Sequence, residues 1–493
     1  MAVDLVFRDV RILDGTGAPA FEGDVAVEGG RIAAVGGVGS PPRTATVIDG
    51  NGRVLAPGFV DTHTHDDGAL VAHPGLEFKV AQGCTSLVIG NCGFSTVPAG
   101  GPGLWATRDQ SWGDLDGFRA ALEAGGGIAA NAIALIGHNT MRAVAMGDDA
   151  KRTPTPAELA TMRGWVEQAI EQGACGVSTG LIYRPGRWSD AEEVAALARA
   201  AGDAGGLYAT HLRNEADRLL DAVDEAISIG RAAGCGVHIS HHKAAGPANW
   251  GKVRDSLELV DAANDAGADV TLDVYPYTAG SGRMIEYFNL SAPDEALAEV
   301  VRLASCPAFP DYEGRMLVDI AGETGETLAA LVVRILTAER GDRTICIHFL
   351  LDEADIETNL RHPRMMVGSD GIPDLRGKPH PRLFGTMPRV LGEYVRRRGV
   401  LSLEEAVRRM TSLSADRFGL EGRGRVAEGL HADLVLFDPD AVADTATYDE
   451  PMREPVGIDC VVVNGAVVYA GGAHTGARPG RLLRYRDGES GRG

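Results

Sequence analysis

The sequence predicts an α/β fold, a (β/α)8 TIM-like barrel with a small β-sandwich domain built from both termini and an inserted lid subdomain. Three observations predict it. Both ends of the chain carry short alternating apolar runs, the middle alternates short apolar strands with Ala/Glu-rich helical stretches, and polar residues follow the predicted strand ends. With 493 residues, 44% of them hydrophobic, the chain can fill a large core.

The predicted β domain comprises residues 1–56 and 420–493. From Asp4 to Leu55, apolar and polar residues alternate between Gly, Asp and Asn turns, a pattern typical of antiparallel strands. The same pattern returns from Gly424 onward. Because two strand-rich ends flank a different middle, we expect one domain assembled from both ends of the chain.

The predicted barrel comprises residues 57–419. An extra helix and an extra strand at about residues 285–348 predict an insertion or lid. Eight strand–helix units over this length indicate a closed parallel barrel. The eight predicted strands end near His65, Asn91, Gly137, Thr179, His211, His241, Tyr275 and Asp370.

Charge and composition narrow the function. The chain carries 47 basic and 68 acidic residues, a net charge of -21, which argues against nucleic acid and membrane partners. A small-molecule partner is therefore expected. The N-terminus lacks a basic-then-apolar signal pattern, no apolar run approaches membrane-spanning length, and the seven cysteines are scattered singly. These features predict a cytoplasmic protein without a disulfide framework.

His63 and His65 follow an apolar stretch that begins at Leu55. Side chains two positions apart on a strand point the same way and can converge on one metal ion. An isolated pair of this kind is more often a pair of solvated loop histidines. The position of the pair, at the predicted junction between the β domain and the barrel, favours a metal site.

This passage resembles the amidohydrolase superfamily, and an ordered set of further motifs resembles the D-aminoacylases, the N-acyl-D-amino-acid deacylases, over nearly the whole chain. The motifs follow the second, fifth, sixth, seventh and eighth predicted strands. They are Gly90-Asn-Cys-Gly93, Ala209-Thr-His-Leu-Arg-Asn-Glu215, Ile239-Ser-His-His-Lys243, Asp273-Val-Tyr-Pro-Tyr277 and Val367-Gly-Ser-Asp-Gly371.

Cys92, His211 and His241 offer one thiolate and two imidazoles, a set that suits a zinc ion with one position open for water. The fourth predicted strand, residues 174–180, contains no lysine that could be carboxylated to bridge two metals. The resemblance implies that Cys92 takes over this ligand role. Alternatively, Cys92 is a buried apolar cysteine and His211 a histidine satisfied within the fold. Of the adjacent histidines, we assign His241 as the ligand and regard His242 as structural.

The resemblance also implies that His63 and His65 form a second, weaker metal position beside the first. Asp370, in a glycine-flanked loop after the eighth strand, can reach both the metal and its water. We therefore expect Asp370 to contact the metal and to act as general base, then as the acid that protonates the leaving amine. The alternative is an ordinary turn or helix-capping aspartate.

Arg382 offers a planar fork that suits the free carboxylate of a substrate. The resemblance adds Lys243, Tyr275 and Ser281 as substrate-binding candidates, although a surface arginine or a packed tyrosine is a serious alternative. Nearby basic residues could select an acidic substrate side chain or be merely exposed, and we favour neutral or apolar side chains. The basic residues concerned are Arg283, Arg376 and Lys378.

The resemblance thus implies zinc-dependent hydrolysis of N-acyl-D-amino acids, with one tightly bound zinc ion and a second, weaker site. Two alternatives stay open at this point. The same metal site could hydrolyse D-residue dipeptides or another amide such as a cyclic imide. The chain could instead be a non-catalytic scaffold, which the complete set of candidate ligands disfavours.

Overall fold

The computed structural model describes residues 3–38, 44–101 and 112–486. Within these ranges the chain forms three sheets of nine, eight and three strands, numbered below in chain order. The nine-stranded sheet draws its strands from both ends of the chain, and the other two lie between them. The division into residues 1–56, 57–419 and 420–493 stays a prediction, and residues 1–2, 39–43, 102–111 and 487–493 lie outside the described residues.

The nine-stranded sheet joins the two ends of the chain through β5 and β17, which pair antiparallel with Leu55 opposite Leu436. Its strands are β1 (Leu5–Ile12), β2 (Phe21–Glu28), β3 (Arg31–Gly36), β4 (Thr46–Asp49), β5 (Val54–Pro57), β17 (Leu434–Phe437), β18 (Ile458–Val463), β19 (Ala466–Ala470) and β20 (Ala473–His474). They run in the order β20-β19-β18-β17-β5-β1-β2-β3, with β4 also on β1.

The antiparallel arrangement expected for the N-terminal strands is wrong for two pairs, because β1 pairs parallel with both β4 and β5. After the antiparallel β1–β2–β3 meander the chain returns to the free edge of β1, so the sheet is mixed. Its strands alternate between two cores. Val54 packs in the main core that extends through the barrel, whereas Leu55 packs in a separate core within the terminal sheet.

The eight-stranded sheet is the predicted parallel barrel. Its strands are β6 (Phe59–Asp61), β7 (Cys84–Ile89), β8 (Asn131–Gly137), β9 (Gly176–Gly180), β10 (Leu207–His211), β11 (Val237–Ile239), β12 (Val270–Val274) and β16 (Met365–Val367). Neighbours in the barrel are neighbours in this sequence, and every observed strand ends within four residues of its predicted end. Thr62 donates from its backbone to Val367 O at 3.5 Å, which closes the barrel between β6 and β16.

Helices cover the barrel as the sequence pattern predicts, and several carry clear start signals. Thr155 and Glu158 form a reciprocal capping box with Pro156 at the first helical position. The helices outside the insertion are Ala69–Ala72, Glu77–Val80, Leu115–Ala124, His138–Met146, Pro156–Glu171, Ala191–Asp203, Leu219–Ala233, Lys252–Asp265, Glu353–Arg361, Arg382–Arg389, Leu403–Met410 and Ser412–Arg417, with a π-helix at Val390–Arg397. Short 3-10 turns lie at Gly147–Asp149, Gly186–Trp188 and Pro247–Asn249. In the described part of the chain, no helix combines the length and apolar character that crossing a membrane requires.

The insertion between β12 and β16 is larger than expected. Instead of one strand and one helix it holds an antiparallel sheet in the order β13-β15-β14, with its own apolar core. The strands are β13 (Gly280–Arg283), β14 (Val301–Ser305) and β15 (Ile345–His348). The helices are Met284–Tyr287, Glu295–Glu299, Leu317–Thr324 and Leu328–Thr337, with 3-10 turns at Pro310–Tyr312 and Gly341–Arg343. Strand β13 carries no sequence signal of its own, because it is a glycine-rich run, Gly-Ser-Gly-Arg, without apolar alternation.

Candidate metal centre

The candidate metal residues meet at the carboxyl ends of the barrel strands, where barrel enzymes place their sites. The six residues are His63 and His65 after β6, Cys92 after β7, His211 at the end of β10, His241 after β11 and Asp370 after β16. Cys92, His241 and Asp370 have φ values of 54°, 35° and 50°, in the left-handed region that side chains disfavour. Such backbone strain concentrates at functional sites because the surrounding fold must hold it in place.

The Cys92 side chain is the centre of a first group of possible ligands. Its Sγ lies 3.4 Å from His241 Nε2, 3.7 Å from His211 Nδ1 and 3.3 Å from His63 Nε2. A tetrahedral zinc ion with Zn–S of about 2.3 Å and Zn–N of about 2.05 Å separates sulfur from nitrogen by about 3.6 Å. The three observed distances bracket this value, so the donor set fits a zinc ion in both chemistry and spacing.

His63, His65 and Asp370 form a second group whose ligand atoms all lie within 4.8 Å of one another. Asp370 Oδ1 lies 3.0 Å from His65 Nε2 and 3.6 Å from His63 Nε2. Since His63 also approaches Cys92, the two groups adjoin each other. The strand β6 ends at Asp61, so this pair of histidines lies in the segment that follows the strand and not on the strand itself.

Burial prepares these side chains for a metal ion. It lowers the pKa of His241 to about 3 and that of His65 to about 4, which keeps both imidazoles neutral and able to coordinate. It also raises the pKa of the Cys92 thiol well above its usual range. Metal binding would therefore have to displace a proton from Cys92, as is usual for thiolate ligands.

Glu215 belongs to the centre, although we assigned it no role from sequence. Its Oε1 lies 3.0 Å from His241 Nδ1 and its Oε2 lies 3.2 Å from His211 Nε2. Lys243 Nζ also donates to Oε1 of Glu215 and lies 2.8 Å from His241 Nδ1. The one available signal was its place in the fifth-strand motif, four residues after His211.

Asp273, the last but one residue of β12, is a second buried carboxylate that sequence reasoning left without a role. Its Oδ1 accepts the backbone N–H of His241 at 2.6 Å, and its Oδ2 lies 2.7 Å from His238 Nε2 and 3.5 Å from His63 Nδ1. Asp273 therefore fixes the left-handed backbone of His241 and contacts one histidine of the second group.

Arg382 is wholly buried and pairs with Asp370, Nη2 to Oδ2 at 2.9 Å, a contact that the sequence analysis did not foresee. Burial alone would raise the pKa of the Asp370 carboxyl, but the Arg382 guanidinium holds it well below its usual range. Arg382 Nη2 also approaches Ser281 O at 3.3 Å, and its guanidinium lies 4.5 Å from the ring centre of Tyr275. Lys243 Nζ lies 5.8 Å from the same ring, so the four predicted substrate-binding residues are brought together.

Two nitrogens of Arg382 have no hydrogen-bond partner in the described part of the chain. Nε and Nη1 are buried, and neither finds a hydrogen-bond acceptor within the described part of the chain. A buried guanidinium that leaves two donors unsatisfied is costly unless a ligand supplies the acceptors. These donors therefore point to an anion-binding position beside Asp370.

The other basic candidates are engaged elsewhere. Arg283 donates to Asp342 O at 2.9 Å, and Lys378 Nζ donates to Asp449 O at 3.1 Å. Arg376 has a side chain that is 82% exposed. The remaining histidine of the sixth-strand motif, His242, is bound away from the centre by neutral groups, Asn359 Oδ1 and Ser256 Oγ, each at 2.8 Å.

Lys79 lies beneath the second group and was not a candidate from sequence. It is completely buried, and its Nζ donates to Asp61 Oδ2 at 2.7 Å and to Ser369 Oγ at 2.8 Å. Asp61 Oδ1 in turn accepts the backbone N–H of Ser369 at 2.7 Å. This network ties the end of β6 to the loop that carries Asp370.

A closed parallel barrel with a buried Cys/His/Asp cluster at its carboxyl end defines the class of metal-dependent hydrolases, and comparison with known proteins narrows the class. A model of the amidohydrolase family matches residues 46–469. N-acyl-D-glutamate deacylase of Alcaligenes xylosoxydans xylosoxydans is 42% identical, with 98% of this chain and 96% of that protein covered. D-aminoacylase from the same organism is 40% identical, with 97% of each chain covered. Its N-acyl-D-aspartate deacylase is 41% identical, covering 98% and 95%.

Solved structures agree. The N-acyl-D-glutamate deacylase of Bordetella bronchiseptica, complexed with zinc and a phosphonate mimic of the tetrahedral intermediate, matches with a TM-score of 0.91 at 40% identity, covering 98% of this chain and 100% of that one. A D-aminoacylase matches with a TM-score of 0.90 at 39% identity and the same coverage; its binuclear metal centre is described by one-metal activation and second-metal attenuation. This chain belongs to the amidohydrolase family and, within it, to the D-aminoacylases, the N-acyl-D-amino-acid deacylases.

Proposed function

We propose that this protein hydrolyses the amide bond of N-acyl-D-amino acids to a carboxylate and a free D-amino acid. The observation that carries the proposal is the placement of the Cys92 ligand group directly beside the Asp370–Arg382 pair. A metal position, a carboxylate that can move a proton and a cation with unsatisfied donors then share one buried site. Amide hydrolysis of a substrate with a free carboxylate uses all three.

Cys92, His211 and His241 would hold one zinc ion tightly, while His63, His65 and Asp370 would form the second, weaker position. Zinc bound there supplies Lewis acidity, which lowers the pKa of a water molecule and polarises the amide carbonyl. The neutral imidazoles of His241 and His65 support this assignment because neither needs to lose a proton before binding. The Cys92 thiol does lose one, and it leaves a thiolate of the kind that zinc prefers.

Asp370 would act first as general base and then as general acid. Arg382 keeps its carboxylate ionised in the resting site, so it is ready to accept the proton of the attacking water. The same carboxyl group then delivers that proton to the amine that leaves. Its left-handed backbone and the Lys79 network keep it at the junction of β6 and β16 while the proton moves.

Arg382 would hold the carboxylate of the substrate through Nε and Nη1, while Nη2 stays on Asp370. The Tyr275 ring would pack against the guanidinium. Lys243 and Ser281 would contact the scissile amide or the same carboxylate. This arrangement joins the substrate to the base through one side chain. It supports a substrate in which the carboxylate lies next to the amide nitrogen, as in an N-acyl amino acid.

We further propose that the side chain of the preferred D-amino acid is neutral or apolar. The support is that Arg283 and Lys378 donate to backbone carbonyls and that Arg376 lies at the surface. The cytoplasmic location predicted from the sequence also stays a proposal.

A panel of chiral substrates tests the activity. The zinc-loaded protein is given N-acetyl-D-methionine, its L enantiomer, N-acetyl-D-glutamate, a D-residue dipeptide and a cyclic imide, and release of the free amine or ring opening is followed. We expect the highest kcat/KM for N-acetyl-D-methionine and none above background for its L enantiomer. Equal rates on both enantiomers, or turnover of the dipeptide or imide alone, would contradict the proposal. Preference for N-acetyl-D-glutamate would overturn the side-chain assignment only.

A further inference from the structure

We propose that Glu215 is a positioning residue that selects opposite ring tautomers in the two histidines of the tight zinc site, and so sets the zinc affinity. The inference rests on the zinc site of the proposed function. It concerns a residue outside the proposed ligand set, and it is tested by metal binding in the absence of any substrate.

The two rings present different nitrogens to Cys92. His241 faces Cys92 Sγ with Nε2 at 3.4 Å, whereas His211 faces it with Nδ1 at 3.7 Å. On the opposite side, His241 presents Nδ1 to Glu215 Oε1 at 3.0 Å and His211 presents Nε2 to Glu215 Oε2 at 3.2 Å. One carboxylate therefore lies at ion-pair distance from both rings, one oxygen for each, although the contact at His211 Nε2 is not aligned as a hydrogen bond.

This geometry determines where the ring protons must lie. A neutral imidazole has one N–H donor and one lone pair, and an ionised carboxylate can only accept. Glu215 therefore draws the proton to Nδ1 of His241 and to Nε2 of His211. The lone pairs are left on the two nitrogens that face Cys92, which are the nitrogens that a shared metal ion requires.

Glu215 does not serve as a third ligand beside these histidines in the same site. One of its oxygens and one nitrogen of each ring do fall within 4.8 Å of one another. The nitrogens that approach Glu215, however, are not the ones that approach Cys92. A metal ion held by Glu215 would be separated from the thiolate by the width of both rings, so the Cys92 site and a Glu215 site exclude each other.

Because of Lys243, the Glu215 carboxylate is needed to keep the ring proton of His241 on Nδ1. Its Nζ lies 2.8 Å from His241 Nδ1 and also donates to Glu215 Oε1. An ammonium group can only donate. Without an ionised Glu215, Lys243 would donate to Nδ1 and leave the ring proton on Nε2, where it would block coordination beside Cys92.

The fold holds Glu215 in this place. The side chain is 12% exposed, and the backbone carbonyl of Glu215 accepts the N–H of Ala245 at 2.7 Å. This bond links the loop after β10 to the loop after β11, which carries His241 and Lys243. The carboxylate and both of its histidines therefore move together.

The test is the zinc dissociation constant of Glu215→Gln, measured by competition with a chelator of known affinity. Glutamine keeps the volume but offers one acceptor oxygen, so it cannot accept from both rings. We expect zinc to bind about 10–100-fold more weakly. The matched control is Glu225→Gln, which removes a carboxylate that pairs with Arg213, and its zinc affinity should equal that of the unmodified protein.

Two further measurements separate positioning from simple loss of structure. Cobalt-loaded Glu215→Gln should keep the thiolate-to-metal charge-transfer band of Cys92, because the ligand set is unchanged. Adding Lys243→Met to Glu215→Gln should restore part of the zinc affinity, because the competing donor to His241 is gone. An unchanged zinc affinity in Glu215→Gln, loss of the charge-transfer band, or no recovery in the double variant would each overturn the proposal. Failure of the D-substrate panel would leave all these readouts intact.

Discussion

The two halves of the metal centre are built in different ways. In the Cys92, His211 and His241 half, Cys92 follows β7, whereas the two histidines lie at or just after the ends of the neighbouring strands β10 and β11, with one carboxylate behind both. The His63, His65 and Asp370 half lies across the seam where β6 meets β16. There the backbone contact between the strands is long, 3.5 Å from Thr62 N to Val367 O, a shorter bond of 2.8 Å from Asp370 N to His63 O follows it, and buried ionic side chains complete the closure.

The two halves of the metal centre are organised for different tasks. In the first half both histidines turn a ring nitrogen towards Cys92 Sγ, so this half is organised to retain a metal ion. In the second half Asp370 divides its oxygens between His65 and Arg382, so it is organised to move a proton next to a substrate anion. A second metal ion in that half would compete with both contacts of Asp370.

Replacing Asp370 gives the largest expected effect and separates the halves most cleanly. Asp370→Asn keeps the shape but cannot take a proton, so we expect kcat to fall by about 10²–10⁴-fold. The first half is untouched, so zinc content, measured by atomic absorption after dialysis, should stay at one ion per chain. Normal turnover in this variant would remove Asp370 as the general base.

The buried network under the seam should be the largest contributor to stability in the second half. Lys79→Met leaves Asp61 and Asp66 buried without their cation, and breaking a buried pair costs about 3–5 kcal/mol. Urea unfolding of the zinc-loaded protein measures this loss. Lys378→Met, which loses only a contact to a backbone carbonyl, is the control and should change the free energy of unfolding by about 0.5 kcal/mol or less. Equal stability of both variants would mean that the network does not brace the seam.

Removing the thiolate tests the first half. If a zinc site is worth about 10–16 kcal/mol over four ligands, each ligand contributes roughly 3 kcal/mol, so Cys92→Ala should weaken zinc binding by about a hundredfold or more. The matched control is Cys84→Ala, a buried cysteine on β7. Full zinc content and full activity in Cys92→Ala would contradict the assignment of Cys92 as a zinc ligand.

The smallest expected effect is that of His65→Ala on the tight site. His65 contacts Asp370 and is absent from the Cys92 group, so the dissociation constant for the first zinc ion should change by less than about tenfold. Chelator competition measures it. A loss as large as that of Cys92→Ala would show that the two halves are one site.

Much of this architecture could be predicted from sequence because its signals are local. The barrel strands are short apolar runs, and the candidate ligands follow them directly, so their convergence was expected once the barrel was. The H-x-H pair and the Cys92 motif are compact enough to recognise without tertiary information.

What could not be predicted depends on tertiary contacts. Lys79 lies in the short helix Glu77–Val80, and no local pattern distinguishes it from a solvated lysine. Glu215 has the same difficulty, because a glutamate in a polar loop becomes a partner of His241 only when two loops meet. The contact between Arg382 and Asp370 could not be predicted because it depends on how β6 and β16 meet. Strand β13 could not be predicted because its glycine-rich sequence has no apolar alternation.

Zinc titration of the metal-free protein, with kcat measured on N-acetyl-D-methionine at each step, tests the central claim that one half binds the working metal and the other moves the proton. We expect kcat to reach its maximum at one equivalent of zinc per chain and a second equivalent not to increase it. A linear rise that reaches its maximum only at two equivalents would contradict the division between the halves.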